Sequence, residues 1–262
     1  MNMPVFSLSE VDAGYRNNRF INGLNFAVNR GDFISLIGPN GAGKSTVLRL
    51  MAGLHKPFSG SVEFTGRPLH GLGARELARN FSVVSRITGE LPDFRVKDFI
   101  SLGRFPFVDM LERDSDDSEE YSATVQKSGV SHLLDRSIRE LSAGEFQLVQ
   151  VTRALVQNSD ILLLDEPVSN LDYSHVVTVM DILRELHRGG TTIISAMHDV
   201  NYALEYCSRV VAIKKGKVIF DGAPEEVITE SSMKDLYGSR FYCGVNPVTG
   251  RHLVLPVSGE FS

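Results

Sequence analysis

The sequence predicts an α/β fold: a parallel sheet with crossover helices, an antiparallel β region ahead of it, and a helical insertion within it. Three observations predict this. Apolar and polar residues alternate from Phe6 to Phe33. A short apolar run, Phe33 to Ile37, enters a glycine-rich turn and leaves it as a helix. Strand-like apolar runs then return after residue 160, with a helical segment among them.

Taken in order, Phe26-Ala27-Val28-Asn29 carries the period of two, and Asp12-Ala13-Gly14 and Asn29-Arg30-Gly31 mark turns, so this region reads as antiparallel sheet. The segment Ser45 to Leu54 sets Val47, Leu48, Leu50 and Met51 on one helical face. From about Leu72 to Leu141 the spacing is helical, interrupted by Pro92, Gly103 and Pro106, which reads as an inserted helical subdomain. Ile161 to Leu164, Thr191 to Ala196 and Arg209 to Ile213 read as strands, with a helix over Val176 to Arg188. Beyond Pro224 follows a helix-and-strand appendage. The expected division of one domain, 1–262, is a core of 1–85 and 156–225, a helical subdomain of 86–155 and an appendage of 226–262.

Composition narrows the function. A chain of 262 residues buries a substantial core. Its net charge of -5 supplies no basic field for nucleic acid or anionic lipid, so no nucleic-acid partner is expected. The two cysteines, Cys207 and Cys243, lack the spacing of a zinc or disulfide framework and read as core thiols in a reducing compartment. Met1 to Glu10 lacks the pattern of a signal peptide, and no later segment is long and apolar enough to cross a bilayer. The expectation is a soluble chain whose membrane role is borrowed from a partner. The acidic stretch containing Asp114, Asp116, Asp117, Glu119 and Glu120 reads as a solvated loop and the first turn of a helix ending near Lys127, rather than as a cation site.

The strongest motif is Gly38-Pro39-Asn40-Gly41-Ala42-Gly43-Lys44-Ser45-Thr46, which fills the G-x-x-x-x-G-K-[ST] pattern between a strand and a helix. Its glycines let backbone N–H groups converge on phosphate oxygens, and the helix start at Ser45 adds a positive dipole end. Lys44 is suited to the β- and γ-phosphates and the Ser45 hydroxyl to Mg²⁺. Nucleotide binding is the expectation.

A second signal is Asp165-Glu166, at the end of the apolar run Ile161-Leu162-Leu163-Leu164. On its own such a pair reads as strand-end charge facing solvent. Beside a phosphate loop it reads as chemistry at the carboxyl edge of a sheet: Asp165 for Mg²⁺, directly or through water, and Glu166 to take a proton from attacking water. Between the two motifs, Leu141-Ser142-Ala143-Gly144-Glu145 opens a helix over Phe146 to Leu155. Ser142 or Gly144 lies near its start, and Glu145 suits the dipole.

In this order along the chain, phosphate loop, L-S-A-G-E and aspartate-glutamate strand, the sequence resembles the ATP-binding subunits of ABC transporters from about Val5 to Pro256. The resemblance implies that Gly38 to Thr46 is the Walker A loop, Ile161 to Glu166 the Walker B strand and Leu141 to Glu145 the signature. It implies that Tyr15 stacks on adenine, that Ser169-Asn170-Leu171-Asp172 is the D-loop, and that His198 touches the γ-phosphate. His55, His70, His132, His175, His187 and His252 gain nothing from it and read as surface or packing residues. Two copies of such a domain hold ATP between them, the loop of one facing Ser142 and Gly144 of the other. Gly103-Arg104-Phe105-Pro106-Phe107, Asp221-Gly222-Ala223-Pro224-Glu225-Glu226-Val227-Ile228 and Asn246-Pro247-Val248-Thr249-Gly250-Arg251 resemble the branch that imports iron-siderophore complexes, haem or cobalamin.

Two positions depart from the family pattern. Arg86 stands where the family carries the Q-loop glutamine, and a guanidinium only donates and cannot ligate Mg²⁺. Either the mechanism differs there, or a neighbour such as Ser85, Thr88 or Glu90 supplies the oxygen. Leu148 stands where many relatives carry arginine, which alters a support contact. The resemblance therefore implies a homodimeric, ATP- and Mg²⁺-using subunit at the cytoplasmic face of the inner membrane. Its implied partners are a permease and a substrate-binding protein. The alternatives are a soluble non-transport ABC ATPase and a catalytically weak regulatory subunit.

Overall fold

The structure, a computed structural model, describes residues 3–16, 18–85, 92–107 and 119–257. It divides into two units, one formed by Met1–Gly71 with Ile194–Ser262 and the other by Leu72–Ile193.

In the first unit β1 (Phe6–Tyr15) and β2 (Asn18–Val28) pair antiparallel, from Phe6 opposite Val28 to Tyr15 opposite Asn18. Alternation turns Phe6 and Leu8 inward. A register shift before Val11, with Glu10 at φ +48°, resets the phase so that Val11 and Ala13 are buried as well. Every residue of β3 (Phe33–Ile37) is buried, as in a strand covered on both faces. Helix α1 (Lys44–Met51) buries Val47, Leu48, Leu50 and Met51, the predicted face. It stops three residues short of the expected Leu54. Gly53 adopts φ +70°, Gly53 N–H donates to Leu50 O (3.1 Å) and Leu54 N–H to Arg49 O (2.9 Å), the paired bonds of a Schellman ending. Strands β4 (Ser59–Phe64) and β5 (Arg67–Pro68) complete a sheet of order β2-β1-β4-β5.

The second unit contains α2 (Ala74–Asn80), β6 (Phe81–Val84), α3 (Val96–Ser101), α4 (Glu119–Lys127), α5 (Ala143–Leu155), β7 (Ile161–Asp165) and α6 (Tyr173–Arg188). Strand β6 pairs parallel with β7, Phe81 opposite Ile161 through Val84 opposite Leu164. Only four residues long, β6 gives no readable period, and it lies inside the stretch read as helical. Helix α4 begins with Glu119 and Glu120 and ends at Lys127, as the charge pattern predicted. The helical core centres on Phe99, whose ring meets Phe146 at 5.8 Å and the Arg153 guanidinium at 4.8 Å. Burial draws Arg153 below the usual guanidinium value. Gly103 packs so close that a Cβ would sit 2.1 Å from Arg153 O.

Through β8 (Thr192–Ala196) the chain returns to the first unit, which adds α7 (Val200–Tyr206), β9 (Arg209–Lys214), β10 (Lys217–Gly222), α8 (Pro224–Val227), α9 (Glu230–Tyr237), β11 (Phe241–Val245) and β12 (His252–Pro256). Here the strand order is β10-β9-β3-β8, with β3 parallel to β9 from Ile34 opposite Arg209 to Ile37 opposite Ala212. Arg209 binds both Asp221 carboxylate oxygens (2.7 and 2.8 Å), Asp32 (3.1 Å) and Ala27 O (2.9 Å). Cys207 is buried, and burial pushes its thiol up. Cys243, also expected in the core, is only half-buried, because it lies on the two-stranded β11–β12 ribbon. No helix of the described residues is long and apolar enough to cross a membrane.

Candidate nucleotide-binding site

The phosphate loop leaves the buried end of β3 and is shaped by three left-handed glycines: Gly38 (φ +146°), Gly41 (φ +77°) and Gly43 (φ +110°). A Cβ on Gly38 would lie 2.1 Å from Ile213 O, and one on Gly43 would lie 2.4 Å from Ile21 Cδ1. At Gly38 the obstacle is backbone, which cannot move aside; at Gly43 it is a movable side-chain methyl, and the positive φ is what favours glycine there. Pro39 and Asn40 form the outer turn, closed by Ala42 N–H donating to Pro39 O at 3.1 Å. Gly43 caps α1 with no side-chain hydrogen bond, so the positive end of the helix dipole is directed into the loop. Lys44, 6% exposed, bends back and donates from Nζ to Gly38 O (2.6 Å) and Pro39 O (3.2 Å). These two bonds go to carbonyl oxygens, the acceptor chemistry that phosphate oxygens also offer. Ser45 is half-buried and Thr46 buried. Glycine backbone, dipole and ammonium together fit a polyphosphate.

Also in the first unit, Tyr15 ends β1 with 41% of its surface exposed. Phe20 stacks near it at 5.8 Å, the His55 ring lies 4.7 Å away, and Arg49 Nη1 donates to its hydroxyl at 2.9 Å. His55 therefore is a packing residue, and what it packs on is Tyr15. His198 is exposed just past β8, one residue after Met197 N–H donates to Leu36 O at 3.2 Å near the end of β3. Asp199 then caps α7 by accepting from Asn201 N–H. Tyr237 of α9 was not singled out from sequence. Its buried hydroxyl lies beside the Gly38 N–H without a hydrogen bond of normal geometry, and burial, with the Asp199 carboxylate, raises its pKa.

In the second unit β7 is wholly buried and ends in Asp165, with Glu166 next in the chain, the two being 4% and 8% exposed. Glu166 takes φ +55°, a sharp exit from the strand. Gln147 of α5 donates to Glu166 O (3.3 Å) and Pro167 O (3.1 Å). Gly144 packs against Asn170, where a Cβ would lie 2.8 Å from Asn170 O. The unit therefore brings Ser142, Gly144 and Glu145 to the segment that follows Glu166. Gln147 was missed, because a polar residue one turn into a helix has no pattern to mark it.

Helix α5 begins at Ala143, three residues earlier than expected, and Ser142 rather than Gly144 is its cap. Ser142 Oγ accepts from Glu145 N–H (3.2 Å) and Glu145 Oε2 accepts from Ser142 N–H (2.8 Å). The spacing Ser-x-x-Glu is the signal that identifies this box. The bond from Ser142 N–H, its hydroxyl and nearby Arg136 hold Glu145 below the usual carboxylate range. Asp172 caps α6 through His175 N–H (2.9 Å), and that bond with the Ser174 hydroxyl lowers its pKa. Leu148 is 2% exposed on the covered face of α5, so this departure acts on packing. Arg86, Thr88, Glu90, Asp114, Asp116 and Asp117 lie outside the described residues.

The family described as ABC transporter matches residues 21–169, more than half of the chain. The chain belongs to the ABC transporter family. Among its ABC relatives, the ferric enterobactin transport ATP-binding protein FepC of Escherichia coli K12 is 33% identical over 95% of this chain and 92% of its own. The hemin import ATP-binding protein HmuV of Nocardia farcinica is 35% identical over 91% and 83%. The ABC cassette MJ0796, solved as a dimer in a post-hydrolysis state with ADP and Pi, superposes with a TM-score of 0.75. That match has 23% identity over 84% of this chain and 98% of that one. The ABC cassette fold is α/β, as observed here.

Proposed function

We propose that this chain is the ATP-binding and ATP-hydrolysing subunit of an importer that moves an iron-siderophore complex, haem or cobalamin through a separate permease. The observation that carries the nucleotide part is the loop in which three left-handed glycines and Lys44 converge at the uncapped start of α1. Cargo and direction are supported by relatives named for enterobactin, hemin and cobalamin that match more than nine-tenths of this chain.

The roles of Lys44, Ser45, Asp165 and Glu166 follow from their chemistry, and those of Tyr15, His198, Ser142, Gly144, Glu145 and Asp172 from the family resemblance. Lys44 donates charge-assisted hydrogen bonds to β- and γ-phosphate oxygens in exchange for its bonds to Gly38 O and Pro39 O. Gly38, Pro39, Asn40, Gly41, Ala42, Gly43 and Thr46 form the surrounding backbone cradle, and Tyr15 stacks on the base. Ser45 offers a hydroxyl to Mg²⁺, and Asp165 offers it a carboxylate. Mg²⁺, when bound, neutralises phosphate charge. Glu166 accepts the proton of attacking water, and His198 steadies the γ-phosphate. Ser142, Gly144, Glu145 and Asp172 serve the partner copy of a homodimer, a reading supported by the dimeric neighbour.

The division into a core of 1–85 and 156–225, a helical subdomain of 86–155 and an appendage of 226–262 is part of the same proposal. Within the helical region Leu102, Phe105 and Phe107 are exposed, and Arg75 and Arg79 both donate to Pro106 O (3.3 and 2.9 Å). A fixed apolar patch of this kind supports contact with a permease that holds the subunit at the cytoplasmic face of the membrane. A substrate-binding protein would complete the importer.

Two measurements test the reading. Purification from gently solubilised membranes with Mg²⁺ and ATP should recover a many-helix permease near one-to-one; recovery of soluble partners alone would overturn it. Glu166→Gln should keep ATP binding and lose nearly all turnover, and an active variant would remove Glu166 from the chemistry.

A further inference from the structure

We infer that His55, together with Arg49, is a positioning residue that holds Tyr15 ready for the nucleotide base; the inference rests on the reading of Tyr15 as the base platform. Helix α1 starts at Lys44 in the phosphate loop and ends in the Schellman turn at Gly53. That turn folds the chain back so that Leu54 N–H (2.9 Å) and His55 N–H (3.2 Å) both donate to Arg49 O. The backbone thereby brings His55 to the same last turn of α1 that carries Arg49.

From there both side chains reach Tyr15. His55 Nε2 is 2.8 Å from Gly14 O, and since a carbonyl only accepts, Nε2 carries the proton. This bond fixes the peptide that leads into Tyr15. Gly14 is itself confined, because a Cβ there would lie 1.9 Å from Asn18 O. The His55 ring meets the Tyr15 ring at 4.7 Å and 41°, while Arg49 Nη1 holds the phenol oxygen at 2.9 Å. Tyr15 is thus held at its backbone, its ring and its hydroxyl, yet stays 41% exposed. A ring held in place and left open presents a surface whose rotamer is already chosen, so ordering it costs little when a ligand stacks. One helix then serves both ends of a nucleotide, with Lys44 at the phosphates and Arg49 and His55 behind the base.

Titration of the full chain with Mg²⁺-ATP and with Mg²⁺-tripolyphosphate, which has no base, tests this. His55→Ala should weaken ATP binding by about three- to tenfold. It should leave tripolyphosphate binding unchanged and add nothing in a Tyr15→Ala background. His55→Phe keeps a ring against Tyr15 but loses the bond to Gly14, and should fall between wild type and His55→Ala; it gives the same base-dependent reading if the alanine variant does not fold. Unchanged ATP binding in His55→Ala, or an equal loss for both ligands, overturns the inference. If Tyr15→Ala binds ATP as tightly as wild type, the base platform fails and the inference with it. If Tyr15→Ala is weak and His55→Ala is not, only the inference fails.

Discussion

Helices α1 and α5 both open with small residues at a proposed phosphate contact, but their first turns are built in opposite ways. Helix α1 is capped by Gly43 in the left-handed region, with no side-chain bond and no acid in its first turn. Helix α5 is closed by its own side chains, Ser142 and Glu145 each accepting from the other's backbone N–H. An uncapped start directs its dipole outward to an anion, whereas the box at α5 has already satisfied two N–H groups, those of Ser142 and Glu145, within the chain. The first is an anion site built of backbone. At the second, the Ser142 hydroxyl already accepts from Glu145 N–H, and what it can still offer a phosphate is its own O–H.

The largest effect that sharpens this contrast is expected from Gly38→Ala. Its Cβ would lie 2.1 Å from Ile213 O at φ +146°, a backbone clash that no rotamer relieves. We expect a loss of about 3 kcal/mol or more in stability and loss of ATP binding, read by denaturant titration and calorimetry. Gly41→Ala, with open space around it, should cost about 1–2 kcal/mol from its positive φ alone. Equal losses for the two would mean that loop shape, not close packing on β9, sets the site.

A smaller effect is expected at the closed helix. Ser142→Ala should cost about 1 kcal/mol, as for loss of an N-cap, and should leave ATP binding by the isolated chain unchanged. If it weakened ATP binding as much as a loop substitution does, the two helix starts would not differ in the way described. The smallest effect is a pH dependence. Glu145 has a lowered pKa in the folded chain, so its contribution is present above the unfolded carboxylate value of about 4.3 and is lost as pH falls through the folded one. The difference in thermal midpoint between wild type and Glu145→Gln should be full at neutral pH and shrink below about pH 4.3, while Gln still supports the box geometry. A difference that persists undiminished in acid would assign the effect to shape and not to charge.

The contrast also explains what could be read from the sequence. The loop was legible because its chemistry needs glycines at fixed positions: Gly38 is walled by the Ile213 carbonyl, and Gly43 sits at φ +110°. The strand ending in Asp165 was legible because four consecutive apolar residues lead into it, as in a strand covered on both faces. The start of α5 lies three residues ahead of the apolar face that begins at Phe146, because the Ser142–Glu145 box and not apolar spacing sets it. Gly53 likewise marks the end of α1 at Met51, which the apolar pattern alone extended to Leu54. The contacts of Arg49, His55 and Gln147 were not legible, since they depend on where turns and neighbouring strands bring the chain. Tyr237, with its hydroxyl beside Gly38 almost 200 residues away in sequence, is the extreme case.

The first unit is also discontinuous: Met1–Gly71 is completed by residues from Ile194 onward, whereas the second unit is one unbroken segment. During synthesis from the N-terminus, β3 and its phosphate loop leave the ribosome long before β9, the strand that pairs with β3 and supplies the Ile213 carbonyl against which Gly38 packs. The contiguous segment emerges whole in that interval. A nascent chain arrested before Arg209 therefore has its entire glycine motif without the wall that gives the motif its shape, and ATP affinity should arise late and in one step during translation.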